Sequence, residues 1–191
     1  MTSEPSGQPQ NAAEIRRTLW KGELLDWVET LTIAVTIAMV TLLFFVQIVI
    51  VDGDSMKPTL FDTERLLIST SLYGIDRGDI VVIHRDNDEP IVKRVIATEG
   101  QTVDIDFVKG EVYVDGQLQQ EDYIFEPTYN SGGALGVSFP VTVPEDCVFV
   151  LGDNRNHSLD SRYQEIGMVP TDHIFGEVLC RVYPFWGVHK L

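Results

Sequence analysis

"DIVVIHRDNDEPIVKRVIAT", residues 79–98, is the stretch that decides the fold of this chain. Two segments rich in β-branched residues, "DIVVIH" and "IVKRVIAT", enclose the polar turn "RDNDEP", which predicts a β-hairpin. Successive side chains of a strand point to opposite faces, so Lys93 and Arg94 lie on different faces of the second strand. Because the other side chains on both faces are mostly aliphatic, we expect a strand covered on both sides, with one of the two bases buried.

Lys93 can be interpreted in two ways. Burial disfavours the charged ammonium and can lower the pKa of a lysine by several units, whereas an arginine stays charged. A lysine that is neutral at ambient pH is a competent general base. The more common alternative is a lysine whose stem lies along the strand while its amine reaches water at the edge. The strand pattern alone leaves both interpretations open.

Short strands and turns surround the hairpin. The segments "RLLIST" (65–70), "CVFVLGDN" (147–154) and "EVLCRVYPF" (177–185) are typical of strands, and "TVDIDFVKGEVYVDGQLQ" (102–119) contains Lys-Gly and Asp-Gly turns between alternating segments. Residues 126–140 are rich in Gly, Pro and Ser and predict a loop. No long helical pattern follows residue 60. We therefore expect residues 52–191 to form one compact, mainly antiparallel β domain, so that the protein is mostly β.

The N-terminal part of the chain has a different character. "TLTIAVTIAMVTLLFFVQIVIV", residues 30–51, carries no charge and would span about 33 Å as a helix, enough to cross a bilayer. It is longer than the apolar core of a cleaved secretory signal, so we interpret it as a permanent membrane anchor. Arg16, Arg17 and Lys21 precede it, which predicts a cytoplasmic segment 1–29 and an extracytoplasmic β domain. Residues 1–13 are polar and are expected to be disordered.

Composition excludes some functions. The net charge is −15, and no basic stripe is present, which argues against binding to nucleic acid. The two cysteines, Cys147 and Cys180, and the scattered histidines lack metal-ligand spacing, so neither a metal nor a cofactor is expected. The cysteines could form a disulfide outside the cytoplasm, or remain two buried thiols, which we favour.

Two further stretches hold candidate functional residues. In "IVIVDGDSMKPTL" (48–60), Ser55 lies in a turn just after the apolar run; a serine there is usually turn chemistry, and its hydroxyl is a poor nucleophile until a base takes its proton. "GDNRNHSLDSR" (152–162) is dense in polar residues, which fits a solvated turn or a hydrogen-bonded network that orients something. A Ser–His–Asp triad using His157 is conceivable, but no GxSxG elbow supports it.

Taken together, three stretches resemble a known family. "GDSMKPTL" (53–60), "RGDIVVIHRDNDEPIVKRVIATEG" (77–100) and "LGDNRNHSLDSR" (151–162) are similar, in this order, to the serine, lysine and final boxes of type I signal peptidases. The resemblance covers nearly all of the chain after the anchor, and the single anchor with a compact domain is similar to the Gram-positive bacterial form. It implies a serine endopeptidase of the cell membrane that contacts the lipid bilayer and removes signal peptides from exported preproteins.

The resemblance also implies roles for individual residues. Ser55 would be the nucleophile, its backbone N–H would donate to the oxyanion, and Lys93 would be the general base. Ser158 would hydrogen-bond the lysine amine, and Asp160 and Arg162 would form a supporting ion pair. Pockets for small side chains before the cut would be walled by Met56, Leu60, Ile91 and Val92. This chain has Gly53 where some members have a serine that supplies a second oxyanion donor, and Ala97 and Glu99 where the family often has Gly and Pro.

Two alternatives remain. Self-cleaving repressors resemble the same catalytic β fold, but they are soluble and carry a DNA-binding helical domain, which the apolar run and the acidic charge argue against. A membrane-tethered β module that binds exported chains without cutting them is the non-enzymatic alternative. The presence of both Ser55 and Lys93 favours the enzyme.

Overall fold

The computed structural model describes residues 10–71, 74–85 and 88–184. The chain divides into two compact units between Phe44 and Phe45. The first unit contains one long helix, α1 (Gln10–Phe45), and the second contains all the strands of the described residues. The predicted class, mostly β with one N-terminal apolar helix, is confirmed.

Helix α1 has the properties of a membrane span. Its segment Glu23–Phe45 is long and apolar enough to cross a bilayer, and the large apolar side chains described along it are exposed. Hydroxyl groups within the helix bond to the carbonyl oxygen four residues earlier, which satisfies them without water. These hydroxyls belong to Thr30, Thr32, Thr36 and Thr41.

Two predicted boundaries in this region differ from the structure. The apolar run was expected to be one segment up to Val51, but the helix ends at Phe45 and Val46–Ile50 form a strand. These five residues are mostly β-branched, and they pair with a strand about twenty residues further along the chain, from Val46 opposite Ser69 to Ile50 opposite Arg65. The disorder expected for residues 1–13 is wrong for residues 10–13, which start α1 and include two strong helix formers, Ala12 and Ala13. Residues 1–9 lie outside the described residues.

The strands form two antiparallel sheets. The larger sheet has the order β1-β2-β11-β3-β4-β9-β10, and the smaller one has the order β7-β6-β5-β8. The strands are β1 (Val46–Ile50), β2 (Arg65–Ser69), β3 (Ile80–Arg85), β4 (Asp88–Thr98), β5 (Thr102–Asp106), β6 (Glu111–Val114), β7 (Gln117–Leu118), β8 (Val141–Thr142), β9 (Cys147–Leu151), β10 (Val169–Pro170) and β11 (Ile174–Tyr183). Among the described residues, three single-turn 3-10 helices lie in the connections: Gly133–Leu135, Arg155–His157 and Thr171–His173.

The hairpin predicted for residues 79–98 and the Asp-Gly turn predicted within residues 102–119 are both present. Strands β3 and β4 pair with Val81 opposite Lys93 and Val82 opposite Val92, and they lie in the interior of the larger sheet. Strands β6 and β7 are joined by Asp115 and Gly116, which both have positive φ, as a two-residue type I′ turn requires.

Strand β4 is covered on both sides. Val92 belongs to one buried apolar cluster and Val95 to another. One of the two adjacent bases was expected to be buried, but both are. Lys93 is 3% exposed and Arg94 is 6% exposed. Arg94 tolerates burial because a carboxylate from the loop after β9 pairs with it, as described below. Cys147 and Cys180 are unpaired and half-buried, so the disulfide alternative is wrong.

The position of β1 in the sheet makes a testable prediction. A truncated chain that starts at Val46 keeps all strands, whereas one that starts at Val51 leaves β2 without its neighbour and removes Val49 from its apolar contacts. We expect the shorter chain to unfold at a temperature lower by about 5 °C or more, which thermal unfolding measures. Equal midpoints for the two chains would show that residues 46–50 belong to the anchor and not to the sheet.

Candidate active site

Ser55 lies in a tight turn between β1 and β2. Gly53 starts the turn with φ of +84°, a conformation that L side chains rarely adopt, and its N–H donates to Asp62 Oδ1 at 2.9 Å. The N–H of Leu60 donates to the carbonyl oxygen of Met56 at 2.9 Å, and both side chains are fully buried. The buried pair therefore fixes the turn to the core and leaves Ser55 half-buried beside it.

Lys93 reaches the hydroxyl of Ser55. Its Nζ lies 2.8 Å from Ser55 Oγ and 2.8 Å from the carbonyl oxygen of Val92. Burial of the amine lowers the pKa of Lys93 from 10.5 to about 8, although the carboxylates of Asp160 and Asp153 act in the opposite direction. The fraction of neutral amine at neutral to weakly alkaline pH is therefore far larger than for an exposed lysine.

This pair of groups can carry out nucleophilic catalysis. When Lys93 is charged, its amine donates to Ser55 Oγ. When it is neutral, the same geometry lets the hydroxyl donate to the nitrogen lone pair, which is the arrangement that activates a serine for attack on a carbonyl. His157 does not compete for this role, because its ring is exposed and makes no hydrogen bond within the described residues.

Arg94 and Asp153 form a buried ion pair that the sequence analysis did not predict. Arg94 Nε donates to Asp153 Oδ1 at 2.9 Å and its Nη2 donates to Oδ2 at 2.7 Å. Thr59 Oγ1 also donates to Asp153 Oδ2, at 2.5 Å. Through the contact with Thr59, the pair joins the strand of Lys93 to the turn of Ser55. The sequence feature that could have indicated this pair is Arg94 itself, a second base next to Lys93 in a strand covered on both sides.

The ion pair expected between Asp160 and Arg162 is present. Arg162 Nε lies 2.8 Å from Asp160 Oδ1, and neither side chain is exposed. The arginine also donates to the carbonyl oxygens of Asn130 and Arg155, and Asp160 Oδ2 accepts from the N–H of Gly152 at 3.0 Å. Asp160 therefore holds the start of the polar loop, where a Cβ on Gly152 would overlap Ser55 O and Ser158.

Ser158 differs from its expected arrangement. It was expected to hydrogen-bond the amine of Lys93, but its Oγ is buried and has no hydrogen-bond partner within the described residues. The amine instead contacts Ser55 Oγ and the carbonyl oxygen of Val92. Ser158 nevertheless lies near the nucleophile, because its Oγ and the carbonyl oxygen of Ser55 both border Gly152.

A small cavity of about 60 Å³ opens beside Ser55 and Lys93. Three of the four predicted wall residues line it. The full lining is Val49, Ile50, Val51, Asp52, Ser55, Met56, Pro90, Ile91, Val92 and Lys93. Leu60 does not line this cavity; its side chain lies in the buried apolar cluster that also contains Met56 and Val92.

Comparisons with known proteins show which family the chain belongs to. The family model "Signal peptidase, peptidase S26" matches residues 24–183. The chain belongs to this family. It is 35% identical over 185 residues to signal peptidase I of Bacillus amyloliquefaciens, with 93% of this chain and 98% of the relative covered. It is 36% identical over 181 residues to signal peptidase I S of Bacillus subtilis, with 89% and 95% covered.

Two further proteins with similar names match this chain. Signal peptidase IB of Staphylococcus aureus is 33% identical over 180 residues, with 86% of this chain and 92% of the relative covered. A solved structure of a signal peptidase I from Enterococcus faecalis is 31% identical, covers 56% of this chain and 98% of that chain, and has a TM-score of 0.44. The relatives from Bacillus and Staphylococcus support an enzyme of the signal peptidase family, in preference to a β module without activity.

The burial of the Asp160–Arg162 pair can be tested by comparison with an exposed pair. Replacing Asp160 by Ala leaves Arg162 buried without its carboxylate, and we expect a loss of about 3–5 kcal/mol in the free energy of unfolding. The matched control is Glu165→Ala, which removes the carboxylate beside Arg85; Glu165 is 59% exposed, so about 1 kcal/mol or less should be lost. Denaturant unfolding measures both values, and equal losses would contradict the structural role given to Asp160.

Proposed function

We propose that this protein is a membrane-anchored serine endopeptidase that cleaves signal peptides from exported preproteins, with Ser55 as the nucleophile and Lys93 as the general base. The observation that carries the proposal is the distance of 2.8 Å between Lys93 Nζ and Ser55 Oγ, made by a lysine that is only 3% exposed. Family membership supports the same reaction, because the named relatives are signal peptidases.

The proposed reaction proceeds through an acyl-enzyme. Neutral Lys93 takes the proton of Ser55 as Oγ attacks the scissile carbonyl carbon, and it returns that proton to the leaving amine. The backbone N–H of Ser55 stabilises the oxyanion; no hydrogen bond from this N–H is found within the described residues, so it is free to donate to a substrate. Lys93 then activates the water that hydrolyses the acyl-enzyme.

The substrate is proposed to bind as an extended strand beside β4. The pairing of β4 with β9 begins at Arg94, so Ile91 and Val92 pair with β3 on one edge and leave the other edge available. Backbone hydrogen bonds along this edge would hold the substrate, as in β-strand addition. The adjacent cavity, with Met56, Ile91 and Val92 among its walls, is about 60 Å³ and favours small side chains before the cut.

The proposed location is the cell membrane, where the protein contacts the lipid bilayer. Segment Glu23–Phe45 would be the single anchor, and the bases Arg16, Arg17 and Lys21 favour a cytoplasmic N-terminus with the β domain outside. Signal peptides have their apolar core in the bilayer and their scissile bond just outside it. Ser55 follows the end of α1 by a short stretch of chain, which suits cleavage of a bond just outside the bilayer.

The roles of Ser55 and Lys93 are tested with a purified preprotein and the detergent-solubilised enzyme. We expect Ser55→Ala and Lys93→Ala to lose at least about 10³-fold in kcat, since each removes a reacting group. Lys93→Arg should be equally inactive although it keeps the positive charge, because a guanidinium does not give up its proton. Catalysis by Lys93→Arg near the wild-type rate would show that the position supplies charge and not basicity.

The dependence of kcat/KM on pH tests independently whether Lys93 is the base. The active form is the neutral amine, so kcat/KM should rise with pH through an ionisation near 8 and level off above it. His157→Ala should leave this rise unchanged. A rise that disappears in His157→Ala would move the base from Lys93 to the histidine.

A further inference from the structure

The loop residue Asn154 contacts the nucleophile turn on both sides of Ser55. Its side-chain Nδ2 donates to the carbonyl oxygen of Asp54 at 3.0 Å. Its backbone N–H donates to the carbonyl oxygen of Ser55, also at 3.0 Å. One residue therefore holds the peptide group that precedes the nucleophile and the peptide group that follows it.

The first of these contacts has a specific consequence. The carbonyl of Asp54 and the N–H of Ser55 belong to the same planar peptide unit, so fixing the oxygen also fixes the direction of the N–H. That N–H is the proposed donor to the oxyanion. A donor bonded to the carbonyl also polarises the peptide unit and makes its N–H a stronger donor. Asn154 is thus placed to orient and strengthen the group that stabilises the transition state.

The surroundings of Asn154 show that it is held in place. The preceding residue, Asp153, is bonded to Arg94 by two contacts, and Arg94 directly follows Lys93 in β4. Asn154 itself is 6% exposed, and its Oδ1 is buried without a hydrogen-bond partner within the described residues. Burying an unpaired carbonyl oxygen is costly, and a smaller or apolar side chain would avoid that cost. Stability alone therefore does not account for an asparagine at this position.

We infer that Asn154 is a positioning residue for catalysis, which sets the direction of the Ser55 N–H so that it can stabilise the oxyanion. The inference rests on the proposed role of Ser55 as the nucleophile. Gly53 increases the demand on this N–H, because a glycine supplies no side-chain hydroxyl as a second donor. Asp54 O also accepts from the N–H of Lys57 at 3.2 Å, so loss of the Asn154 side chain weakens the hold on the peptide unit without abolishing it.

The test compares Asn154→Ala with Asn156→Ala in the full-length enzyme in detergent micelles. Asn156 is a matched control in the same loop: its Oδ1 accepts from the N–H groups of Tyr129 and Asn130, away from the nucleophile. Loss of an interaction that is made only in the transition state lowers kcat and leaves KM unchanged. We expect Asn154→Ala to lose roughly tenfold to a hundredfold in kcat at constant KM, which is less than the loss of a whole oxyanion donor.

The pH profile separates positioning from general damage to the site. Asn154 carries no charge, so Asn154→Ala should keep the same rise of kcat/KM with pH, while Asn156→Ala should keep wild-type kcat even if its unfolding temperature falls. A second variant, Asn154→Asp, keeps the size of the side chain but faces Asp54 O with an acceptor, and it should lose at least as much kcat as Asn154→Ala.

Three results would overturn the inference. They are a kcat within about twofold of wild type for folded Asn154→Ala or Asn154→Asp, a loss seen only in KM, or an equal loss of kcat in Asn156→Ala. A separate result concerns the proposed function itself. Substantial turnover by Ser55→Ala would show that Ser55 is not the nucleophile. If Ser55→Ala is inactive and both Asn154 variants keep full kcat, the proposed function stands and the positioning role fails.

Discussion

The contact between buried Lys93 Nζ and Ser55 Oγ sets the constraint that the surrounding strands and loops of the candidate site meet, because the amine must be kept away from water. An amine near a hydroxyl is useful as a base only if it is neutral, and an exposed lysine is charged at physiological pH. Burial is what shifts this balance, so the amine must be surrounded by protein. The position of β4 inside the larger sheet, with apolar clusters on both sides, provides that surrounding.

Burial of the lysine creates a second requirement, because the adjacent base is buried as well. An arginine side chain keeps its charge when it is buried, so Arg94 needs a carboxylate in contact with it. Asp153 supplies that carboxylate and also accepts from Thr59 in the nucleophile turn. One ion pair thus neutralises a buried charge and joins the two segments that carry the candidate catalytic groups. Asp160 and Arg162 hold the other end of the same loop in a similar way.

Local patterns in the sequence were sufficient for a large part of the fold. The two segments rich in β-branched residues on either side of a polar turn predicted the hairpin of β3 and β4, and Asp115-Gly116 predicted a turn that needs positive φ at both positions. The apolar helix was predicted by its length without charge. Local patterns could not give its end, because Val46–Ile50 suit a membrane helix and a strand equally well. Only their pairing with β2, more than a dozen residues away, distinguishes the two.

The candidate site shows the same division between local and long-range information. Ser55, Lys93, Asp160 and Arg162 were identified by resemblance to family motifs, and the structure brings these segments together. The partner of Arg94 was not identified, because Asp153 is 59 residues away in the chain. The arrangement of Ser158 also could not be predicted, since it depends on which acceptors the buried amine contacts. Leu60 was assigned to the pocket although its place in the turn buries it completely.

The protonation state of Lys93 is the property on which the whole account rests, and it can be measured directly. Nuclear magnetic resonance of lysine labelled at Nζ, with Lys93→Met to assign the signal, gives the pKa of this one amine in the folded enzyme. The expected pKa is about 8, well below the ordinary 10.5, because burial disfavours the charged form. A value above 10 for Lys93 in the active enzyme would contradict it.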